Sequence, residues 1–230
     1  MPDRTLPSSA MNAIGTARER AREELVQEIK GSARRQLAVH GATALSLRAV
    51  ARELGMASSA VYRYFPSRDD LLTALIVDGF NALGECAERA AAGAPQGSTP
   101  AERWQVTWEA VRDWAVAHPQ EYALLYGSPV PDYKAPQTTV PPAARVARVL
   151  IGLIREAESQ GTLRPVRRMA SVAEDASDGL PGWAAARLVE CWTQLFGLIS
   201  FELFGHLTNV VVKPAEFFAQ TVRETAAWLG

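Results

Sequence analysis

Ser46, Arg48, Ser58, Ser59, Tyr62, Arg63 and Tyr64 crowd hydroxyl and guanidinium donors into one short run of the chain. Such groups bond phosphate oxygens and the acceptor edges of bases, so nucleic-acid recognition is the chemistry they suit. Arg63 can reach a phosphate or a guanine edge, and Arg48 is placed for a base contact. Tyr62 and Tyr64 lie two positions apart, about 200 degrees around a helix, and therefore take different roles. One braces the helix against the phosphate backbone while the other grips an adjacent phosphate; the competing reading makes one of them a core aromatic with its hydroxyl at the edge.

The surrounding apolar pattern says what must hold these donors. Leu47, Val50, Ala51 and Leu54 share one helical face, Gly55 can take a turn conformation, and Val61 with Phe65 restores an apolar face beyond it. The spacing predicts two short helices around a tight turn, the second of them entering a major groove. Ser46 is expected to cap the first, which closes at Leu54-Gly55, and the second runs from about Ser58 to Tyr64 before Pro66. Upstream, Ala21, Leu25, Ile29, Ala33 and Leu37 recur at four-residue spacing and predict an amphipathic helix from Ala17 to Val39 that Gly41 ends. Downstream, Ser67 and Asp70 frame a capping box for a fourth helix reaching Ala91. Arg68 adds its charge to the amide-rich start of that helix, where a phosphate is favoured; its alternative partners are Asp69, Asp70 or the first helix. Residues 1–17 read as a flexible arm in which Arg4 adds a phosphate contact.

With 48% apolar residues in 230, the chain can bury a sizeable core, and its formal net charge is -1. That average conceals a division: residues 1–70 hold 11 basic and 8 acidic side chains, while residues 71–230 hold 13 and 17. Cys86 and Cys191 are too few for a disulfide framework, and no CxxC suggests a metal or redox site. No secretion segment or long apolar run is present, so a reducing cytoplasm without membrane insertion is expected.

Gly93 to Pro100 reads as a linker. Beyond it, helices are expected over 101–117, in a short Tyr122-to-Gly127 segment, over Ala143 to Gln160, from Trp183 to about Leu207 and from Pro214 to Leu229. Pro129 to Pro142 is expected to break the chain, and Gly161 to Gly182 to be less regular. Strand alternation competes only at Val210-Val211-Val212. Three histidines without a recurring partner, no Gly-rich loop after a strand and no Gly-x-Ser-x-Gly argue against catalysis, cofactors and metal.

Ser46-Leu47-Arg48-x-Val50-Ala51-x-x-Leu54-Gly55, followed by Val61-Tyr62-x-Tyr64-Phe65-Pro66-Ser67-Arg68-x-x-Leu71-Leu72, resembles the N-terminal domain of the TetR/AcrR transcriptional regulators. The resemblance covers residues 18–85. It implies a homodimer whose recognition helices read adjacent major grooves of a (pseudo)palindromic operator, with Tyr62 and Tyr64 on the phosphate backbone and a divergent C-terminal domain for a small ligand. Trp114-x-x-x-His118-Pro119-x-x-Tyr122-x-x-x-x-Gly127 and Trp192-x-x-x-Phe196-Gly197-x-x-x-x-Glu202-x-x-Gly205-His206 resemble the WHG-type C-terminal subclass, with Phe196 where His is usual. Two departures stand at the reader itself: Ala57 replaces a capping Ser, and Ser58-Ser59 replace a basic residue and Gly.

The expected fold is therefore all-α: an N-terminal three-helix helix-turn-helix domain joined through a fourth helix (18–91) to a larger ligand-binding and dimerisation domain (101–230). Trp104, Trp108, Tyr122, Tyr126, Trp192 and Phe196 are either core packing or the lining of a cavity for an apolar or weakly polar effector. Glu202 and His206, at i and i+4, are expected to form a hydrogen-bonded pair, and His118 to be a helix-end residue. Helices 183–207 and 214–229 carry more apolar surface than a monomer needs, which suits a symmetric four-helix interface holding the readers about 34–36 Å apart. The expected function is a repressor released from its operator by a small molecule. The alternative is a helical partner-binding or structural protein with a vestigial reader.

A reader short of positive charge neutralises few phosphates. Operator affinity measured across a salt series is expected to show a shallow slope, with fewer than about ten counterions released per dimer. A steeper dependence would contradict the hydroxyl-rich reading of Ser58 and Ser59.

Overall fold

The computed structural model describes residues 8–165 and 179–230, with side chains from residue 17 onward. Arg4 and residues 166–178 lie outside them. Every regular element among the described residues is helical. The chain divides into two compact units: residues up to Leu75 together with Pro129–Lys134, and Ile76–Ser128 together with Ala135–Gly230. The division falls inside the fourth helix rather than in the Gly93–Pro100 linker.

In the smaller unit α1 (Ser8–His40) is followed by a 3-10 turn at Ala42–Ala44, then α2 (Leu47–Glu53), α3 (Ser58–Tyr62) and the first turns of α4 (Arg68–Ala92). Helix begins at Ser8, within the stretch 1–17 that was expected to be an arm. Only the later part of the α1 stripe enters the core: Ile29, Ala33 and Leu37 are buried, whereas Ala21 is exposed and Leu25 half-buried. Leu47, Val50, Ala51, Val61, Phe65, Leu71 and Leu72 complete that core. Burial of each large side chain contributes about 1.5–3 kcal/mol.

The start of α4 departs instructively from a full capping box. Ser67 Oγ accepts from the Asp70 amide at 3.1 Å, as expected, but the Asp70 carboxylate accepts a hydrogen bond from the Ser67 hydroxyl at 2.7 Å instead of reaching back to the Ser67 amide. At α5 (Pro100–Ala117) the longer Glu102 does reach back, accepting the Thr99 amide at 2.8 Å while Thr99 Oγ1 accepts from the Glu102 amide at 3.2 Å. One methylene separates the two outcomes.

The larger unit is organised around α5, which packs against α6 (Pro119–Tyr126), α8 (Arg145–Ser159), α9 (Gly182–Leu203) and α10 (Pro214–Ala226). Trp104, Trp108 and Val111 of α5 are fully buried against Leu150, Ile154, Cys191, Leu195 and Val222. Between α6 and α8 a 3-10 turn (Gln137–Thr139) leads into the four-residue α7 (Val140–Ala143). Pro141 and Pro142 were expected outside any helix, yet they occupy α7. A first turn tolerates them because its amides have no intrahelical acceptor. Val210–Val212 is turn rather than strand: the Val210 and Val211 amides both donate to the Leu207 carbonyl at 3.0 Å.

Interhelical ion pairs tie this unit together, among them Arg103 of α5 with Glu156 of α8 at 2.5 Å and the two that follow. Arg145 of α8 spreads over α4, donating from Nε and Nη2 to Glu88 at 2.9 and 2.6 Å and from Nη1 to the Asn81 carbonyl and side chain, both at 2.9 Å. The Arg145 guanidinium holds the Glu88 carboxyl below the usual carboxylate range. Arg112 of α5 makes a bidentate pair with Glu202 of α9, its Nε 2.8 Å from Oε2. The expected Glu202–His206 pair does not form. The half-buried Glu202 carboxylate takes the permanent cation, while His206 lies exposed against Phe201, ring centroids 5.2 Å apart.

Gly84 sits beneath the Arg145 clamp, where a Cβ would stand 2.5 Å from the Arg145 Cβ, an atom too close to the backbone to swing aside. An exposed helix Gly→Ala gains up to about 1 kcal/mol, but overpacking costs about 1–3 kcal/mol. Gly84→Ala is therefore expected to lower the urea unfolding midpoint. A raised midpoint would mean that α8 yields at Arg145.

Candidate nucleic-acid interface and aromatic site

The helix-turn-helix is closed by its backbone. After α2 the Gly55 amide donates to the Arg52 carbonyl at 3.2 Å and the Met56 amide to the Ala51 carbonyl at 2.8 Å, the paired bonds of a Schellman end. They require Gly55 in the left-handed region, at φ 65. Ser46 caps α2 as expected, its Oγ 3.4 Å from the Ala49 amide. Ala57 stands at the N-cap of α3 with no side-chain bond, and Ser58 does not take over that role.

Polar contacts to α1 fix both ends of α2, and sequence reasoning missed them. Gln36 Oε1 accepts the Ser46 amide at 3.2 Å. At the other end Glu53 accepts from Ser32 Oγ at 2.7 Å and Arg35 Nε at 2.6 Å. Those two bonds, Ser32 first, hold the Glu53 carboxyl below its ordinary value. The available signal was a lone carboxylate at the end of the helix before the reader, in a basic segment.

Arg48, Ser58, Ser59, Tyr62 and Arg63 all lie exposed on the outer side of this motif, Tyr62 at 40%. Ser46 and Tyr64 are half-buried, with Val61 and Phe65 directed into the core. α3 proper ends at Tyr62, two residues short of the expected end. Arg68 is engaged within the unit: Nη2 donates to the Ala42 carbonyl at 2.8 Å and Nη1 lies 3.4 Å from Asp69. The Asp69 contact is among the alternative partners expected for it, and the other bond ties α4 to the 3-10 turn that follows α1.

In the larger unit, five of the six aromatic candidates converge. Phe196 has ring-centroid distances of 4.3 Å to Tyr126, 4.6 Å to Trp192, 5.2 Å to Trp108 and 6.4 Å to Tyr122. Trp104 lies next to Trp108 but turns toward α10, its Nε1 donating to Thr225 Oγ1 at 3.4 Å. The Tyr122 hydroxyl donates to the Phe196 carbonyl at 3.1 Å and lies 2.9 Å from Ser200 Oγ. Burial pushes the Tyr122 phenol up to about 12 and that of Tyr126 still further, so both rings stay neutral at physiological pH. Trp108 Nε1 is buried with no hydrogen-bond partner among the described residues. His118 is the helix-end residue expected, its Nδ1 2.9 Å from the Trp114 carbonyl. Among the described residues no cluster of three potential metal ligands occurs, and no helix is long and apolar enough to cross a membrane.

These two arrangements coincide with two family matches. Residues 31–75 match the bacterial regulatory proteins of the tetR family, and residues 104–225 match the tetracyclin repressor-like C-terminal domain. The second match encloses the Trp114–Gly127 and Trp192–His206 segments. The chain belongs to the TetR family of DNA-binding transcriptional regulators. It is 40% identical over 224 residues to HTH-type transcriptional regulator Rv1816 of Mycobacterium tuberculosis, covering 90% of this chain and 93% of the relative. HTH-type transcriptional regulator Mb1846 of Mycobacterium bovis is equally similar. Among solved structures, one described as regulatory protein SCO4313 aligns with a TM-score of 0.74 at 32% identity, covering 90% of this chain and 97% of its own. PfmR of Thermus thermophilus, a TetR family regulator, shares the fold with a TM-score of 0.59 at 18% identity, over 86% and 96% of the two chains.

Ala57→Ser supplies the missing acceptor at the start of α3 and is expected to stabilise the protein by about 0.5–2 kcal/mol in chemical denaturation. Glu53 has its pKa lowered by folding, so its contribution is present above the ordinary carboxylate value and is lost as pH falls through the folded value. Amide protection of α2 is expected to decline in that acid range, and Glu53→Gln is expected to abolish this part of the pH dependence.

Proposed function

We propose that this transcriptional regulator is a repressor released from a (pseudo)palindromic operator by a small, apolar, uncharged effector. Residues 18–91 form the DNA-binding domain and 101–230 the effector and dimerisation domain. Arg48, Ser58, Ser59, Tyr62 and Arg63 meet the DNA directly. Ser46 and Tyr64 contribute at its edge, and Arg68 acts chiefly by bracing α4. The observation that carries the effector reading is the Trp108 indole N–H, buried without an acceptor among the described residues beside Phe196 and Trp192. A bound molecule with one hydrogen-bond acceptor and an apolar body satisfies it. Arg112 offers no free charge nearby, because Glu202 neutralises it. Tyr122, Tyr126, Trp192 and Phe196 supply the remaining walls, with Trp104 supporting Trp108 from behind.

Dimerisation through 183–207 and 214–229 accounts for the large apolar side chains that α9, α10 and the segment between them leave exposed, among them Val189, Phe201, Phe204 and Phe217. The cytoplasm is the setting in which such a protein meets its operator.

Fluorescence anisotropy with a duplex from the gene's own upstream region tests the reading. Arg63→Ala and Arg48→Ala are each expected to weaken specific binding by about 1–3 kcal/mol where they contact bases. Trp108→Phe is expected to leave operator binding intact and to blunt release by uncharged aromatic ketones. Specific binding unaffected by every exposed-residue variant would overturn the interface, and unchanged ligand response in Trp108→Phe would overturn the effector site.

A further inference from the structure

Residues 41–75 carry four arginines and three carboxylates, and these divide by whether a partner within the protein holds them. All three carboxylates are held. Asp70 accepts from Ser67 Oγ at 2.7 Å and Asp69 lies 3.4 Å from Arg68 Nη1, while both Glu53 oxygens are taken, Oε2 by Ser32 at 2.7 Å and Oε1 by Arg35 at 2.6 Å. Arg68 is held as well, through the Ala42 carbonyl. Arg48, Arg52 and Arg63 remain, each exposed and with no hydrogen bond or ion pair among the described residues.

Arg52 has no role so far. It lies one turn after Arg48 on α2, about 6 Å further along the axis. Both flank the buried stripe of Leu47, Val50 and Ala51 on one side. Glu53 follows Arg52 directly, but consecutive helical residues diverge by about 100 degrees, and its carboxylate is spent on α1. The neighbouring acid therefore does not neutralise Arg52, and the positive charge of this flank is left for a partner outside the chain. In a helix-turn-helix the helix before the reader crosses the DNA backbone, so an outward cation there meets phosphate oxygens, which carry no base identity.

We propose that Arg52 is a further DNA-contacting residue, a sequence-independent phosphate anchor beside Arg48. It rests on the reading that the exposed flank of α2 and α3 meets DNA, and not on repression or on an effector. Three uncompensated arginines in each reader also fit the shallow salt dependence expected of Ser58 and Ser59.

Arg52→Gln removes the charge and keeps a residue of similar helix propensity. Anisotropy across a salt series on two duplexes tests it, one from the gene's own upstream region and one of the same length with its base order scrambled. The variant is expected to weaken binding to both duplexes by the same factor and to lower the salt slope by about 0.9 for each reader bound. Its urea unfolding midpoint is expected to be unchanged, because no internal bond is lost. Arg52→Lys is expected to restore the slope, since a phosphate accepts a point charge. An unchanged slope in Arg52→Gln would overturn the anchor. So would a loss confined to the upstream duplex, which would make Arg52 a base reader, or a lowered midpoint, which would make it structural. Binding to the scrambled duplex reports the slope by itself, so an upstream region without an operator would sink the repressor reading and still leave the anchor tested.

Discussion

Helix α4 runs through both compact units, and in each of them the placement of the neighbouring elements depends on how its own stretch of α4 is gripped. Near its start Arg68 holds the Ala42 carbonyl, and one turn later Thr73 meets Tyr133. Gly79 then leaves room for Leu125 of α6, whose side chain would lie 3.3 Å from an added Cβ. Further on, Arg145 covers Asn81, Gly84 and Glu88. Within each unit the contacts involve different partners, so neither stretch of α4 can rotate there without breaking bonds. Leu71, Leu72 and Leu75 are correspondingly held in the core of the smaller unit, and Leu83 in that of the larger.

The reader gains its geometry from backbone and neighbours rather than from its own side chains. α3 is five residues long, has no side-chain cap and contributes a single fully buried residue, Val61, from its own span. An isolated helix of that length would not persist in water. What orients it is the Schellman end at Gly55 on one side and Phe65 in the core on the other, while Gln36, Ser32 and Arg35 hold α2 in place. Nearly all of its surface is thereby released for contact, which is how a short helix can present Ser58, Ser59, Tyr62 and Arg63 together.

Local features were legible in the sequence, and long-range polar partners were not. The four-residue recurrence of Ile29, Ala33 and Leu37, the Ser46 cap, Gly55 and the break at Pro66 report on neighbours within one or two turns, and periodicity encodes such neighbours directly. By contrast, the partners of Arg68, Glu202 and Tyr133 lie 26, 90 and 60 residues away. For Glu202 the local i+4 histidine was the natural choice from sequence, but an arginine brought in by α5 outcompetes it because its charge does not depend on protonation. The aromatic set was legible as a group, and its centre on Phe196 was not, since ring geometry follows from helix packing. Pro141 and Pro142 misled for a simpler reason: proline excludes a helix interior and not a helix start.

The Arg112–Glu202 pair bears on how such a protein can change over evolutionary time. A bidentate ion pair between α5 and α9, little exposed at 12% and 17%, strands two charges if either helix slips by a residue, so it specifies the register of those helices by penalty. The rings of Trp108, Trp192 and Phe196 are borne on the same two helices, and this relieves them of that duty. Their sizes and shapes are then free to drift or be exchanged while the scaffold keeps its alignment. A single ionic lock of this kind lets one architecture vary its aromatic cluster without relearning how to fold.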